Sequence, residues 1–107
     1  MNKELEKRFN IAMYEIYKRA KSEAKYNAIR YLHMLDAHGG LETAHLLINS
    51  SEVSEGYSAL WEKGRLDLTV EAMIWDNPEY YNLFSKEELG LIRKRLIEYR
   101  YEPAMKT

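Results

Sequence analysis

The sequence predicts an all-α fold: a compact single-domain bundle of five to six helices over residues 1–101, followed by a frayed tail at 102–107. The chain has 107 residues and a hydrophobic content of 46%, with nine Tyr and two Trp, which is enough apolar material for one core. Two Pro and five Gly supply too few turns for the many short loops of a β-sandwich or β-barrel. Apolar residues recur at three- and four-residue spacing in the longer segments, which is typical of amphipathic helices.

The N-terminal segment carries the clearest helical pattern. A stripe of apolar side chains predicts a helix from Lys3 to about Lys25: Leu5, Phe9, Ala12, Met13, Ile16, Ala20 and Ala24. A second apolar set continues from Ala28 to Ala37, and Tyr26-Asn27 is the expected bend or break. The pattern leaves open whether residues 3–37 form one bent helix or two.

Glycine-containing stretches separate the central helices. His38-Gly39-Gly40 is predicted to end the preceding helix as a turn, since Gly readily adopts the left-handed conformation common after helix ends. Residues 41–48 then form a short helix. Ser54 is the predicted N-cap of a helix over residues 55–63, and Gly64 ends that helix. Its inward face is predicted to consist of Tyr57, Leu60 and Trp61.

Two carboxylates stand in the apolar stretch that follows. Asp67 is predicted to accept a backbone N–H two or three residues later and so to begin the next helix. Glu71 is predicted either to be buried with a partner such as Arg65 or a Tyr hydroxyl, or to share one wet edge of the helix with Asp67. Catalysis by this pair would need an open cleft between the two, and a pocket with Glu71 pointing into it would contradict a purely structural role.

The C-terminal helix has a strong start signal. Asp76-Asn77-Pro78 breaks the chain, and residues 79–84 are predicted to form a turn or short helix. Ser85 and Glu88 have the spacing of a capping box, in which each side chain accepts a hydrogen bond from the other residue's backbone N–H. The apolar stripe behind them consists of Leu89, Ile92, Leu96 and Tyr99.

Several kinds of site are unsupported by the residues. The chain has no Cys, which excludes disulfides, thiolate zinc sites and cysteine nucleophiles. His33, His38 and His45 lack the spacing of a helical zinc motif, and there is no serine nucleophile elbow or phosphate-binding loop. We therefore expect no metal and no cofactor. The charged N-terminus and the lack of a long apolar run predict a cytoplasmic protein without a membrane span.

A basic segment interleaved with tyrosines is the feature that suggests nucleic-acid binding. Its cations are Lys18, Arg19, Lys21, Lys25 and Arg30. Residues 1–30 carry eight basic and four acidic side chains, but residues 31–80 carry two and nine, and the sequence pI is about 6.3. The acidic middle opposes binding to phosphates, so nucleic acid remains the alternative partner.

The aromatic residues favour a protein partner or a second copy of the chain. Tyr and Trp that exceed the needs of a small core often serve interfaces. The candidates are Tyr14, Tyr17, Trp61, Tyr80 and Tyr81. The polar residues expected to have structural roles are Arg65, Asp67, Glu71, Ser85 and Glu88.

Five sequence blocks, taken in this order, resemble a small uncharacterised bacterial family of all-helical domains. They are GGLETA (39–44), GY (56–57), LWE (60–62), GRLDLTVEA (64–72) and LFSKEEL (83–89), and the resemblance covers about residues 14–101. GRLDLTVEA is the most specific block. Domains of that family sometimes occur with nuclease or mobile-element proteins, so the resemblance implies a bacterial or phage origin and a link with DNA-handling or defence systems. It implies no catalytic residue.

These observations predict a non-enzymatic protein-interaction module, accessory to or regulating such a system. Two alternatives stay open: a nucleic-acid-binding accessory domain that uses the basic first helix, and a small hydrolase built around Asp67 and Glu71.

Overall fold

The computed structural model describes residues 3–101, and the all-α prediction is confirmed for them. They form six α-helices and two short 3₁₀ helices, with no strand in this part of the chain. The α-helices are α1 (Lys3–Glu23), α2 (Ile29–His38), α3 (Gly40–Ile48), α4 (Glu55–Glu62), α5 (Val70–Trp75) and α6 (Lys86–Glu98). The 3₁₀ helices are Leu66–Leu68 and Pro78–Leu83. The tail predicted to fray, 102–107, lies outside the described residues.

Residues 3–37 form two helices and not one bent helix. The carbonyl of Ala20 accepts hydrogen bonds from the backbone N–H groups of both Ala24 and Tyr26, which closes the end of α1. Lys25 then adopts a left-handed conformation with φ 56°. The connector of residues 24–28 thereby separates the two apolar stripes that the sequence shows.

The core lies around α5, a short central helix of which only the last residue is more than slightly exposed. α5 packs against α6, α1 and both 3₁₀ helices. Phe9 of α1 makes edge-to-face contacts with Tyr80 and Phe84, at ring centroid distances of 5.1 and 5.6 Å. The large side chains with almost no exposure are Phe9, Met13, Leu35, Ile48, Tyr57, Leu68, Ile74 and Ile92.

The glycine pair has two different roles. Gly39 ends α2 with φ 83°, as expected of a residue after a helix. Gly40 was predicted to belong to the same turn, but it is the first residue of α3. Its backbone N–H donates to Asn10 Oδ1 at 2.7 Å, and a Cβ at this position would lie 2.7 Å from the same oxygen. Gly40 is therefore required for the close approach of α3 to α1.

Two of the three predicted helix caps are confirmed. Ser54 Oγ accepts the N–H of Tyr57, and Ser85 and Glu88 form the complete capping box. The prediction that Asp67 caps α5 is wrong, because the cap is Thr69, whose Oγ1 accepts the N–H of Ala72 at 3.1 Å. The 3₁₀ turn that contains Asp67 moves the start of the α-helix two residues further along the chain.

Candidate functional site

A cavity of about 420 Å³ lies where the end of α1 and the start of α2 face α4, the first 3₁₀ helix and α5. Most of its wall is apolar. The aliphatic side chains that line it are Ile16, Ala20, Ala28, Ile29, Met34, Leu47, Leu60, Leu68 and Val70. The exposed residues Arg30 and Glu55 also line it and mark the rim, where the cavity meets solvent.

The connector between α1 and α2 forms one side of this rim. Tyr17 donates its hydroxyl to Asn27 Oδ1 at 2.9 Å, which ties the connector to α1. Tyr26 lies beside Gly56 of α4, where a Cβ would be 3.7 Å from the Tyr26 ring and hydroxyl. Any side chain larger than Ala at Gly56 would therefore occupy space at the rim.

Four tyrosines line the cavity: Tyr17, Tyr26, Tyr31 and Tyr57. Tyr31 donates to the backbone carbonyl of Met13 at 2.8 Å, and Tyr57 donates to that of Arg95 at 3.0 Å. Burial raises the pKa of both phenols above its ordinary value, so both keep their protons at neutral pH. These two hydrogen bonds to backbone carbonyls fix the positions of the Tyr31 and Tyr57 rings in the cavity wall.

Glu71 is the buried charged residue of the wall, and only 3% of it is exposed. Arg95 of α6 donates to its Oε2 at 2.9 Å. The Arg95 guanidinium also donates to the carbonyls of Leu47 and Ser50, at 3.1 and 2.6 Å, and so joins the end of α3 to α6. Burial raises the pKa of the Glu71 carboxyl, while its own backbone N–H and Arg95 offset part of that effect.

This geometry corrects the predictions for Glu71. The buried ion pair exists, but its partner is Arg95 and neither Arg65 nor a Tyr hydroxyl, and the wet-edge alternative is wrong. Glu71 is also among the residues that line the cavity. Glu71 therefore joins α5 to α6 through Arg95 and belongs to the lining of an otherwise mostly apolar cavity.

Asp67 belongs to a different cluster, on the outside of the fold. Arg65 donates to both Asp67 oxygens at 3.0 Å and to Glu23 at 2.7 Å, and Arg19 donates to Glu23 at 2.9 Å. Hydrogen bonds from Arg19 and Arg65 lower the pKa of Glu23 to about 2. Asp67 does not line the cavity, so the structure does not bring the two carboxylates of the predicted acid–base pair to a common cleft.

The five aromatic interaction candidates are in different environments. Tyr14 and Tyr81 are half-buried, and their hydroxyls donate to Asp36 Oδ1 and to the carbonyl of Trp75. Tyr80 is buried against Phe9. The remaining two are Tyr17, at the cavity, and Trp61, which is 48% exposed with its ring edge-on to Tyr99. The prediction that Trp61 faces inward is therefore wrong.

The five basic candidates do not form one open cationic surface. Lys18, Lys21 and Lys25 are exposed. Arg19 is bound to Glu23, and Arg30 lies 3.4 Å from Glu55 across the rim of the cavity. Two of the five charges are thus balanced by neighbouring carboxylates.

Glu88 links the capping box to α3. Its Oε1 accepts the N–H of Ser85 at 2.9 Å, and its Oε2 accepts from Asn49 at 2.8 Å and lies 2.6 Å from His45 Nδ1. Burial opposes ionisation, but these partners lower the pKa of the carboxyl below its ordinary value. Its role is to join α6 to α3.

Sequence reasoning missed Arg95, Gly56 and three of the cavity tyrosines as site residues. Arg95 had a usable signal: it lies three residues after Ile92 and four before Tyr99, on the apolar stripe of α6. A cation on a buried stripe needs a buried carboxylate, and Glu71 is the acidic residue embedded in an apolar block. The cavity itself depends on how distant segments pack and had no local signal.

Three further findings bear on function. Within residues 3–101, no group of three or more His, Asp or Glu side chains could hold a metal ion. None of the helices in that range has the length and apolar character needed to cross a membrane. Comparisons with known protein families, curated proteins and solved structures gave no match.

Proposed function

We propose that the protein is a non-enzymatic protein-interaction module that takes an apolar side chain of a partner protein into the cavity. One observation carries the proposal: an apolar-walled cavity of about 420 Å³ that opens to solvent. Its volume falls in the range of roughly 300–1,000 Å³ that is usual for ligand sites. The tyrosine rings in its wall suit an anchor residue at the centre of an interface.

The rim supports a protein as the occupant. Ile29 is 43% exposed beside the cavity, and the Arg30–Glu55 pair places both charges next to it. An apolar centre bordered by polar groups is the usual composition of a protein interface. A polypeptide that inserts one side chain would continue over Ile29 and this charged pair.

The polar groups of the wall favour binding over catalysis. The hydroxyls of Ser54 and Thr69 are occupied as helix caps, and Glu71 is neutralised by Arg95. No histidine in residues 3–101 lines the cavity. Glu55, the other carboxylate that lines the cavity, lies at the exposed rim and is paired with Arg30, which does not favour a division of the steps of a hydrolysis between it and Glu71.

The biological context is proposed from the sequence. The resemblance of the GRLDLTVEA block (64–72) favours a cytoplasmic role beside a bacterial or phage DNA-handling or defence system. The partner would then be a protein of that system, such as a nuclease, or a second copy of this chain. Nucleic acid is the alternative partner, and its binding would weaken steeply with salt.

The test uses peptides selected on the wild-type protein from a random display library. Binding of the selected peptides is then compared between Gly56→Leu, which fills the rim, and Gly90→Leu, which adds the same side chain to a helix position with open space around it. We expect a loss of about tenfold or more with Gly56→Leu, no loss with Gly90→Leu, and little change between about 50 and 200 mM salt.

The same selection can contradict the proposal. Peptides that bind both leucine variants as well as wild type would place the interaction elsewhere on the surface. A steep loss of affinity with salt, together with tighter binding of single-stranded DNA than of any peptide, would favour the nucleic-acid alternative.

A further inference from the structure

Glu71 is among the residues that line the cavity, and its carboxylate has room for a further hydrogen bond. Arg95 occupies Oε2, and no side chain in residues 3–101 donates to Oε1. Glu71's own backbone N–H is the other donor near the carboxylate, and a carboxylate oxygen has room for two hydrogen bonds. An acceptor in the wall of an apolar cavity is a recognition point for a ligand that brings a donor.

The charge of the pair determines which donor suits this position. Arg95 already neutralises Glu71, and both side chains are more than nine-tenths buried. A ligand ammonium or guanidinium would leave the buried cluster with a net positive charge, which is unfavourable away from water. A neutral N–H or O–H would satisfy Oε1 without adding charge.

The walls determine the rest of the ligand. Aliphatic side chains and four tyrosine rings favour a flat aromatic body, which can pack against the tyrosines edge to face. Among protein side chains, Trp and Tyr combine such a body with a single neutral donor at the far end. Phe, Leu and Ile would fill the cavity but bring no donor to Oε1.

We propose that the cavity recognises a Trp or Tyr side chain of the partner protein, whose indole N–H or phenol O–H donates to Glu71 Oε1. This inference rests on the proposed protein-interaction function and makes it specific. Glu71 then has two roles: it joins α5 to α6 through Arg95, and it distinguishes aromatic anchors that carry a donor from purely apolar ones.

The test varies the hydrogen-bond donor of the ligand and leaves Glu71 unchanged, because substitution of Glu71 would also leave the buried Arg95 without its counter-ion. Skatole and para-cresol reproduce the Trp and Tyr side chains, and their N-methyl and O-methyl derivatives remove the donor. Binding is followed by NMR through the methyl groups of Leu68 and Val70, with Gly56→Leu and Gly90→Leu as the blocked and control proteins.

We expect each methylated compound to bind at least about tenfold more weakly than its parent, as for a lost hydrogen bond to a charged group. Benzylamine, a cation of similar size, is expected to bind more weakly than para-cresol. In a selected peptide, replacement of the anchor Trp by naphthylalanine should cause a similar tenfold loss.

The possible outcomes distinguish a failure of this inference from a failure of the proposed protein-interaction function. If the parent and methylated compounds bound equally and Gly56→Leu blocked both, the requirement for a donor to Glu71 Oε1 would be overturned, and the cavity would remain the interaction site. Tighter binding of benzylamine would overturn the neutral-donor argument. Skatole that binds as tightly as every selected peptide would replace the partner protein by a free aromatic molecule. Binding unaffected by Gly56→Leu would overturn both the inference and the proposed function.

Discussion

The buried pair Glu71–Arg95 and the surface cluster of Arg19, Glu23, Arg65 and Asp67 use the same chemical groups in opposite environments. Both join segments that are distant in sequence, with hydrogen bonds of 2.7–3.2 Å between guanidinium and carboxylate. In the buried pair, burial has the largest effect and raises the pKa of Glu71. In the surface cluster, hydrogen bonds from arginine have the largest effect and lower the pKa of Glu23.

The difference shows that an ion pair must be assessed by its surroundings. At the surface, water solvates whichever partner is left alone, so each pair contributes little to the free energy of unfolding. In the interior, removal of one partner leaves a charge without water or counter-ion. The buried pair is also the one that meets the cavity, so in our proposal its charge balance determines which ligand the cavity accepts.

The largest expected effect is that of Arg95→Met. It leaves Glu71 uncompensated and removes the donor to Leu47 and Ser50, so we expect the free energy of unfolding to fall by about 3–5 kcal/mol. Urea denaturation at neutral pH measures this change. The matched surface variant, Arg65→Met, should lose less than about 1 kcal/mol.

A double variant sharpens this result. Glu71→Met combined with Arg95→Met removes both charges together, so it should recover the part of the loss that comes from the uncompensated charge of Glu71, but not the part that comes from the carbonyls of Leu47 and Ser50. Equal losses in Arg95→Met and Arg65→Met would contradict the contrast between the two clusters.

A medium effect is expected at the cap of α5. Thr69→Ala removes the acceptor for the Ala72 N–H and should cost about 1 kcal/mol, while Thr69→Ser should retain most of the stability. Asp67→Ala, in the surface cluster, should cost less than Thr69→Ala. Thermal denaturation of the three variants checks the order, and a larger loss in Asp67→Ala would restore Asp67 as the main determinant of the helix start.

The smallest effect is a pH dependence of opposite sign in the two clusters. The pKa of Glu23 is lowered from 4.5 to about 2, so its contribution to stability is present above pH 4.5 and is lost as the pH falls toward 2. The raised pKa of Glu71 means that the folded state takes up that proton more readily than the unfolded chain. Acidification from that pKa down to 4.5 therefore favours the folded state.

Melting temperatures of wild type and Glu23→Gln across this acidic range measure the first part. The variant should lose less stability than wild type between pH 4.5 and 2. An NMR titration of the Glu71 carboxyl measures the second part. A Glu71 pKa below the ordinary value would contradict this direction and show that Arg95 outweighs burial.

The sequence predicted the features of this fold that depend on neighbouring residues. The stripe of α1, the cap at Ser54 and the capping box of Ser85 with Glu88 are local patterns, and the structure contains all of them. The cap of α5 was misassigned because Asp67 and Thr69 are both good capping residues, and only the intervening 3₁₀ turn decides between them.

The features that make the site depend on packing between distant segments. Glu71 and Arg95 are 24 residues apart, and the cavity wall combines residues from Ile16 to Glu71. Periodicity shows that each residue lies on an apolar stripe, but not which stripes face each other or where they leave a gap. Trp61 shows the converse: an aromatic residue on a predicted inward face lies half in solvent.

The most direct test of the central claim is a map of nuclear Overhauser contacts between a selected peptide and the protein. We predict contacts from an aromatic side chain of the peptide to the methyl groups of Ile16, Leu68 and Val70, inside the cavity. Contacts confined to Trp61, Leu91 or Ile97, which are exposed apolar side chains outside it, would contradict the account.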